Sequence, residues 1–182
     1  MALGATMYHF RVTLSDVDRT VYENLDLRVA RHPSESGRYL VTRTLAYCLS
    51  FEEGIAFSKG GLSSTDDPPI SIRDPTGLLL AWIDVGSPSA ERLHKAAKAA
   101  KRVALYTHVD PATLRREMLS QPVHRRSEIE VYRFEPALLE GVQSVLDRSI
   151  DLELVRSDGR LYLTVQGNVI EGDLLRVDLG SS

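Results

Sequence analysis

The residues best suited to chemistry lie between Asp66 and Arg102, where acidic and basic side chains flank an apolar segment. That segment, LLLAWIDV at 78–85, is predicted to be a buried strand and carries a single acid, Asp84. A carboxylate in such a strand is costly to desolvate unless a cation pairs with it. The helix predicted to follow offers five basic side chains: Arg92, His94, Lys95, Lys98 and Lys101. This combination indicates a site for a metal ion or a phosphate group.

Asp66 and Asp67 are expected beside Asp84. The pattern predicts three successive strands over residues 55–59, 70–74 and 78–85, with a DPTG turn between the last two. If the chain reverses direction at each connection, the loop before the second strand lies at the end of the third. The DDPP segment that holds the two aspartates therefore returns to the end of the sheet that carries Asp84.

A further acid is expected from the helix predicted over residues 34–51. A proline and a serine precede Glu35, and both are typical of a helix start. If this helix packs antiparallel to strand 55–59, its start brings Glu35 and Arg31 to the same end of the sheet. Two or three carboxylates on one site bind Mg²⁺ well. The sequence therefore predicts a Mg²⁺ site formed by Glu35, Asp67 (or Asp66) and Asp84.

The basic residues have two possible roles. Arg92, Lys95 and Lys98 are three positions apart and share one flank of a helix. In one interpretation, Lys95 orients a water or binds phosphate beside the metal ion, while Arg92, Lys98 and Arg31 contact the phosphates of a nucleic acid. In the other, Asp84 forms a structural ion pair and the flank is simply solvated. Spacing alone leaves both interpretations open.

Other kinds of site are not indicated. HExxH, CxxC, GxSxG and GK[ST] motifs are all missing, which argues against zinc, a serine hydrolase elbow and a phosphate loop. The single cysteine, Cys48, lies in an apolar helical pattern and is predicted to be a buried core thiol. The net charge of −3 argues against a general nucleic-acid coat but allows local basic patches.

The chain of 182 residues is expected to form a single domain over 1–182. It contains no apolar run of about 18 residues and no signal-peptide pattern at its start, so a cytoplasmic protein with no membrane partner is expected. No oligomeric state is indicated.

Strands and helices are predicted to alternate along much of the chain. Two strands, 6–14 and 25–32, are expected to pair, with a short helical turn between them. The strand 78–85, a helix capped by Ser87, and the strand 102–108 form a predicted parallel crossover. Further elements are a helix at 110–121, a strand at 127–136, a helix from Pro136, a hairpin turning at Asp158-Gly159, and a strand at 173–179. The fold class is α/β, with a mixed central sheet flanked by helices and antiparallel strands added at both ends.

Several segments together resemble one family. They are ARHPSES (30–36), AFSKGGLSS (56–64), the DDPP loop, and WIDVGSP (82–88) followed by RLHKA (92–96). The chain resembles the YaeQ family of small bacterial proteins over essentially its whole length. That resemblance implies a variant of the PD-(D/E)XK nuclease fold, which is restriction-endonuclease-like.

The resemblance also implies roles for particular residues. Asp84 matches the (D/E) carboxylate, but Gly86 stands where the motif lysine belongs, so Lys95 on the next helix is the candidate to replace it. Pro69 occupies the position of the PD aspartate and cannot bind a metal, so Asp67 is the candidate there. Glu35 matches the glutamate at the helix start.

The function implied is Mg²⁺-dependent phosphodiester hydrolysis of nucleic acid, with Asp84 and Lys95 catalytic. The alternative is a non-catalytic module that binds nucleic acid or protein and keeps the nuclease-like fold. A third interpretation is a domain whose acids and bases pair only with one another.

Overall fold

The computed structural model describes residues 4–59 and 66–180, which divide into two compact units. One unit comprises Met1–Leu49 and Phe134–Leu175, and the other comprises Ser50–Arg133 and Arg176–Ser182. Each unit therefore combines segments that are distant in the sequence.

Ten strands and four α-helices occur within the described residues. In chain order they are β1 (Thr6–Asp16), β2 (Val21–Arg31), α1 (Gly37–Leu49), β3 (Ile55–Phe57), β4 (Ile70–Arg73), β5 (Leu79–Val85), α2 (Ala90–Ala99), β6 (Arg102–Thr107), α3 (Pro111–Leu119), β7 (Glu130–Phe134), α4 (Pro136–Ser144), β8 (Ser149–Ser157), β9 (Arg160–Val165) and β10 (Asn168–Val177). The mixed α/β class is confirmed. The restriction-endonuclease-like architecture and the single domain stay predictions.

The first unit is built on strands in the order β2-β1-β8-β9-β10. β1 pairs antiparallel with β2 and parallel with β8, while β8, β9 and β10 form an antiparallel meander. Side chains alternate along β1, with Phe10, Val12 and Leu14 buried and their neighbours more exposed. The sheet of this unit therefore has one apolar face and one polar face.

The second unit is built on strands in the order β7-β6-β5-β4-β3. β3, β4 and β5 are antiparallel, whereas β5, β6 and β7 are parallel. The apolar side of α2 packs into a buried cluster that includes Leu93, Trp82, Leu105 and Met118. The predicted β5-α2-β6 crossover is confirmed, and it carries the segment that holds the candidate site.

Two predicted helix starts were wrong. α1 begins at Gly37, so Glu35 lies in the turn before the helix, where Ser36 Oγ accepts a hydrogen bond from the backbone N–H of Tyr39 at 3.0 Å. The sequence offers more than one capping serine, and the later one is used. In the same way α2 is capped by Ser89, whose Oγ accepts from the N–H of Arg92, and not by Ser87.

Some predicted strand boundaries were also wrong. The helical turn expected over residues 15–24 is shorter, because β1 continues to Asp16 and β2 begins at Val21, which leaves only residues 17–20 as a turn. The last strand begins at Asn168 rather than at 173, and the strand predicted at 127–136 is the shorter β7, preceded by a 3₁₀ turn at Arg126–Glu128. The hairpin at Asp158-Gly159 is confirmed, with φ of 50° and 72° at the two residues. No helix among the described residues has the length and apolar character needed to cross a membrane.

Candidate functional site

Asp84 lies near the end of β5 and is only 2% exposed. Three donors satisfy its carboxylate. Arg92 Nε donates to Oδ2 at 2.7 Å, Trp82 Nε1 donates to the same oxygen at 3.1 Å, and the N–H of Val85 donates to Oδ1 at 3.0 Å. These contacts offset the cost of burying the charge.

The strand and the helix position these partners for simple geometric reasons. Trp82 and Asp84 are two residues apart on β5, so both side chains project from the same face of the strand. Arg92 lies in the first turn of α2, and its guanidinium carbon is 5.4 Å from the centre of the Trp82 ring. The guanidinium is thus held both by the carboxylate and by the aromatic face.

Arg92 also connects Asp84 to the DDPP segment. Its Nη2 donates to the main-chain oxygen of Asp67 at 3.1 Å, while Nε remains on Asp84. The expectation that the DDPP segment returns to the end of β5 is therefore confirmed. The Asp67 residue itself lines a cavity of about 350 Å³ beside β3 and β4, together with Lys59 and Arg73.

Lys95 lies one turn further along α2 and pairs with Asp66. Both side chains are largely exposed, at 53% for Lys95 and 77% for Asp66. The hydrogen bond and the charge of Lys95 hold the pKa of Asp66 below its ordinary value. An exposed pair of this kind contributes little to folding because water and salt screen it.

Gly86 follows β5 with a φ of 87°, and its N–H donates to the Tyr106 oxygen at 2.9 Å. This left-handed backbone conformation suits glycine and strains a lysine. A glycine therefore suits the local backbone at the position where the resemblance implies a lysine, because the chain turns sharply here from β5 towards α2.

Glu35 belongs to the first unit, where its carboxylate is buried and paired with Arg43 of α1, Nη2 to Oε2, at 3.1 Å. Burial raises the pKa of Glu35, and the charge of Arg43 opposes that rise. Its second oxygen, Oε1, has no hydrogen-bond partner among the described residues. Arg31 donates to the Glu35 main-chain oxygen at 3.0 Å and to Tyr8 Oη at 3.1 Å. That Glu35 and Arg31 join Asp84 in one site stays a prediction.

The predicted Mg²⁺ ligands are not brought together as one group within the described residues. In the described part of the chain, no three His, Cys, Asp or Glu side chains converge as ligands of one ion. Asp84 Oδ2 accepts hydrogen bonds from both Arg92 and Trp82. The Mg²⁺ cofactor stays a prediction that would require Arg92 to move.

A second set of cations lies at the far end of α2. We call Lys98, Lys101 and Arg125 the basic end of α2. Arg125 Nη2 donates to the oxygens of Ala97 and Ala100 at 2.8 Å, and so satisfies the last carbonyls of the helix. Lys98 and Lys101 are exposed, and neither has an acidic partner within the described ranges.

Two partners in these sites were missed from the sequence. Trp82 was treated only as part of an apolar run, although its spacing of two residues from Asp84 on a strand signals a shared face. Arg43 pairs with Glu35 and lies eight residues further along the chain, a spacing of roughly two helical turns. This spacing indicates a contact only weakly, because Glu35 lies outside the helix that carries Arg43.

The chain was also compared with known sequences and structures. Residues 1–173 match the sequence model of the family described as "YaeQ protein". The chain is 31% identical over 176 residues to the "Uncharacterized protein YaeQ" of Escherichia coli (strain K12), covering 96% of both chains. The crystal structure of YaeQ protein from Pseudomonas syringae superposes with a TM-score of 0.86 at 27% identity, covering 97% of this chain and 98% of that one. The YaeQ protein from Xanthomonas axonopodis pv. citri gives a TM-score of 0.86 at 25% identity, covering 94% and 97%.

Proposed function

Because the chain belongs to the YaeQ family, and because Arg92 holds the buried carboxylate of Asp84, we propose that it is a non-catalytic nucleic-acid-binding protein. In this proposal the chain keeps a variant of the PD-(D/E)XK nuclease-like fold and has lost the chemistry. The observation that carries the proposal is the 2.7 Å bond from Arg92 Nε to Asp84 Oδ2. The guanidinium of Arg92 therefore occupies the carboxylate oxygen that a metal ion would need in a metal-dependent nuclease.

The basic end of α2 supplies the proposed contact with the nucleic acid. Lys98 and Lys101 are exposed, and Arg125 anchors the helix end beside them. Phosphate contacts of this type need no particular base sequence, because a point charge reads only the backbone. A protein with a net charge of −3 binds a polyanion only through such a local patch.

Salt dependence of binding tests the proposal. Labelled single-stranded and duplex DNA and RNA are titrated with protein in EDTA over a range of salt concentrations. Each lost phosphate contact lowers the slope of log K against log salt by about 0.9 for duplex DNA. We therefore expect Lys98→Ala with Lys101→Ala to lower the slope by about 1.8. The matched control is Lys59→Ala, an exposed lysine outside α2, which should leave the slope unchanged.

Two outcomes would contradict the proposal. One is a lack of binding to every nucleic acid tested, which would favour the protein-interaction alternative. The other is a slope that falls as much in Lys59→Ala as in the lysine variants of α2, which would show that the binding is spread over the whole surface.

Mg²⁺-dependent phosphodiester hydrolysis is the second candidate function, and one observation favours it. Arg92 donates to the Asp84 carboxylate and to the main-chain oxygen of Asp67, so two oxygens from predicted ligand residues already converge on one cationic group. In this candidate a divalent ion replaces the guanidinium, and Lys95 is the proposed catalytic cation. A cleavage assay separates the two candidates.

A further inference from the structure

Strand β2 is a long outer strand in the first unit. Its eleven residues, Val21–Arg31, pair with β1 in one unbroken antiparallel register. In the order β2-β1-β8-β9-β10 it is terminal, and no strand of the described residues pairs with its other side. An edge this long, without a bulge or a proline, is a template for another strand unless the protein blocks it.

The hydrogen-bonding groups that face outward can be identified from the neighbouring strands. The N–H of His9 donates to the Arg148 oxygen at 2.7 Å, at the start of the β1-β8 ladder, so odd-numbered residues of β1 face β8. The even-numbered Phe10 therefore faces β2, where its partner is Leu27. Since bonding sides alternate along a strand, the odd-numbered residues of β2 bond to β1 and the even-numbered ones face away.

One contact confirms this assignment independently. The main-chain oxygen of Ala30 accepts from Arg43 Nη2 at 2.6 Å, so it is directed to a group outside the β1-β2 ladder. The outward residues, all exposed, are Tyr22, Asn24, Asp26, Arg28 and Ala30.

The charges along β2 are self-complementary in one register. If two copies of the strand run antiparallel with Leu27 opposite its own copy, Asp26 lies opposite Arg28 of the other chain and Glu23 lies opposite Arg31. Asp26 of one chain and Arg28 of the other then form a hydrogen-bonded pair, because both residues present their main-chain N–H and C=O groups outward. Opposite charges placed directly across a pair of strands stabilise it.

The neighbouring registers are disfavoured. If the two-fold axis moves one residue to Asp26, the two copies of Asp26 lie opposite each other, and if it moves one residue to Arg28, the two copies of Arg28 do. Like charges directly opposite each other repel. A slip of one residue in the pairing itself sets each even-numbered residue opposite an odd-numbered one, whose N–H and C=O groups already face β1.

We propose that two copies of this chain join edge to edge through β2, with Leu27 on the two-fold axis. The outward groups of residues 24–30 then form about eight inter-chain hydrogen bonds, two for each hydrogen-bonded pair. Arg43 shares the Ala30 oxygen, which has a second lone pair for the inter-chain bond. The pairing extends the sheet of the first unit into its copy, so the assembly closes with two-fold symmetry.

Charge exchange tests this interface. Asp26→Arg places arginine opposite arginine, and Arg28→Asp places aspartate opposite aspartate, whereas the double variant restores opposite charges with their positions exchanged. By light scattering over a dilution series, we expect a dimer for the native chain. Each single variant should dissociate at a concentration on the order of tenfold higher, and the double variant should return close to the native value.

The controls separate pairing from folding. Asp26 is bonded to His9 Nε2 within its own chain at 2.7 Å, so thermal unfolding of each variant is followed at concentrations where all are monomeric. Glu153→Arg, on β8 and away from the edge, should leave the association unchanged. The proposal is overturned if the native chain is monomeric at every concentration, if the double variant associates no better than the single ones, or if a dimer forms that none of these changes weakens.

Discussion

Replacing Arg92 by methionine gives the sharpest test of how Asp84 is stabilised. Methionine keeps much of the side-chain volume but leaves a carboxylate that is 2% exposed without its cation. Removing one partner from a buried pair costs about 3–5 kcal/mol. Arg92 itself is 21% exposed and Asp84 keeps the bonds from Trp82 and Val85, so we expect about 3 kcal/mol, the lower end of that range.

Urea unfolding followed by fluorescence measures this loss. Trp82 is the single tryptophan of the chain and donates to Asp84, so the signal comes from the site itself. With a denaturant dependence of about 2 kcal/mol per molar urea, a loss of about 3 kcal/mol lowers the midpoint by about 1.5 M. The Lys95→Met variant is the matched control, because that lysine lies on the same helix and also pairs with an acid, but in solvent. Its midpoint should barely change.

A double-mutant cycle completes the test. Asp84→Asn keeps an oxygen for Trp82 but removes the charge, so adding it to the Arg92→Met variant should recover part of the lost stability. The coupling between the two positions should be about 2 kcal/mol, within the range for residues in direct contact. If the Arg92→Met variant unfolds at the native midpoint, or if the two losses simply add, then the ion pair does not stabilise Asp84 and our explanation of the site is wrong.

Two further predictions concern groups outside this site. Burial raises the pKa of the Cys48 thiol to about 12. An alkylating reagent at pH 8 should therefore leave the native protein unmodified and label Cys48 only after unfolding, as measured by mass spectrometry. Rapid labelling of the native protein would refute the buried position of this thiol. The N–H groups of Gly159 and Asp158 hold the pKa of Asp18 below its ordinary value. A carboxylate whose pKa is lowered in the folded state stabilises the fold above its ordinary pKa of about 4, and this stabilisation is lost as the pH falls through the folded-state pKa. Asp18→Asn should therefore be less stable than the native chain at pH 7, and the difference should shrink below about pH 4. A difference that grows in acid would contradict this assignment.

The sequence predicted the parts of the site that depend on local pattern. An apolar strand ending in Asp84, a glycine turn and a helix with Arg92 in its first turn are consecutive in the chain, so their geometry follows from strand and helix periods. The return of the DDPP segment was also predictable, because the antiparallel strands on either side of the DPTG turn bring their ends together.

The parts that depend on competing local signals or on distant segments were not predictable. Ser34 and Ser36 both suit a helix cap, and only the structure shows that α1 starts after the second one and leaves Glu35 outside. Each unit is formed by two segments that are remote in the chain, and the strand pairing that joins such segments cannot be inferred from a single sequence. The sequence also could not separate a metal ligand from an ion-pair partner at Asp84, because the same residue types suit both roles.

The central claim is that Asp84 is an ion-pair partner of Arg92 and not a ligand in a working nuclease. The most direct test is incubation of labelled single-stranded and duplex DNA and RNA with the protein in EDTA, Mg²⁺ or Mn²⁺, with the Asp84→Asn variant run in parallel. We predict binding that is as strong in EDTA as with either metal, and no cleavage by either protein. Cleavage that requires the metal and disappears in Asp84→Asn would contradict the claim.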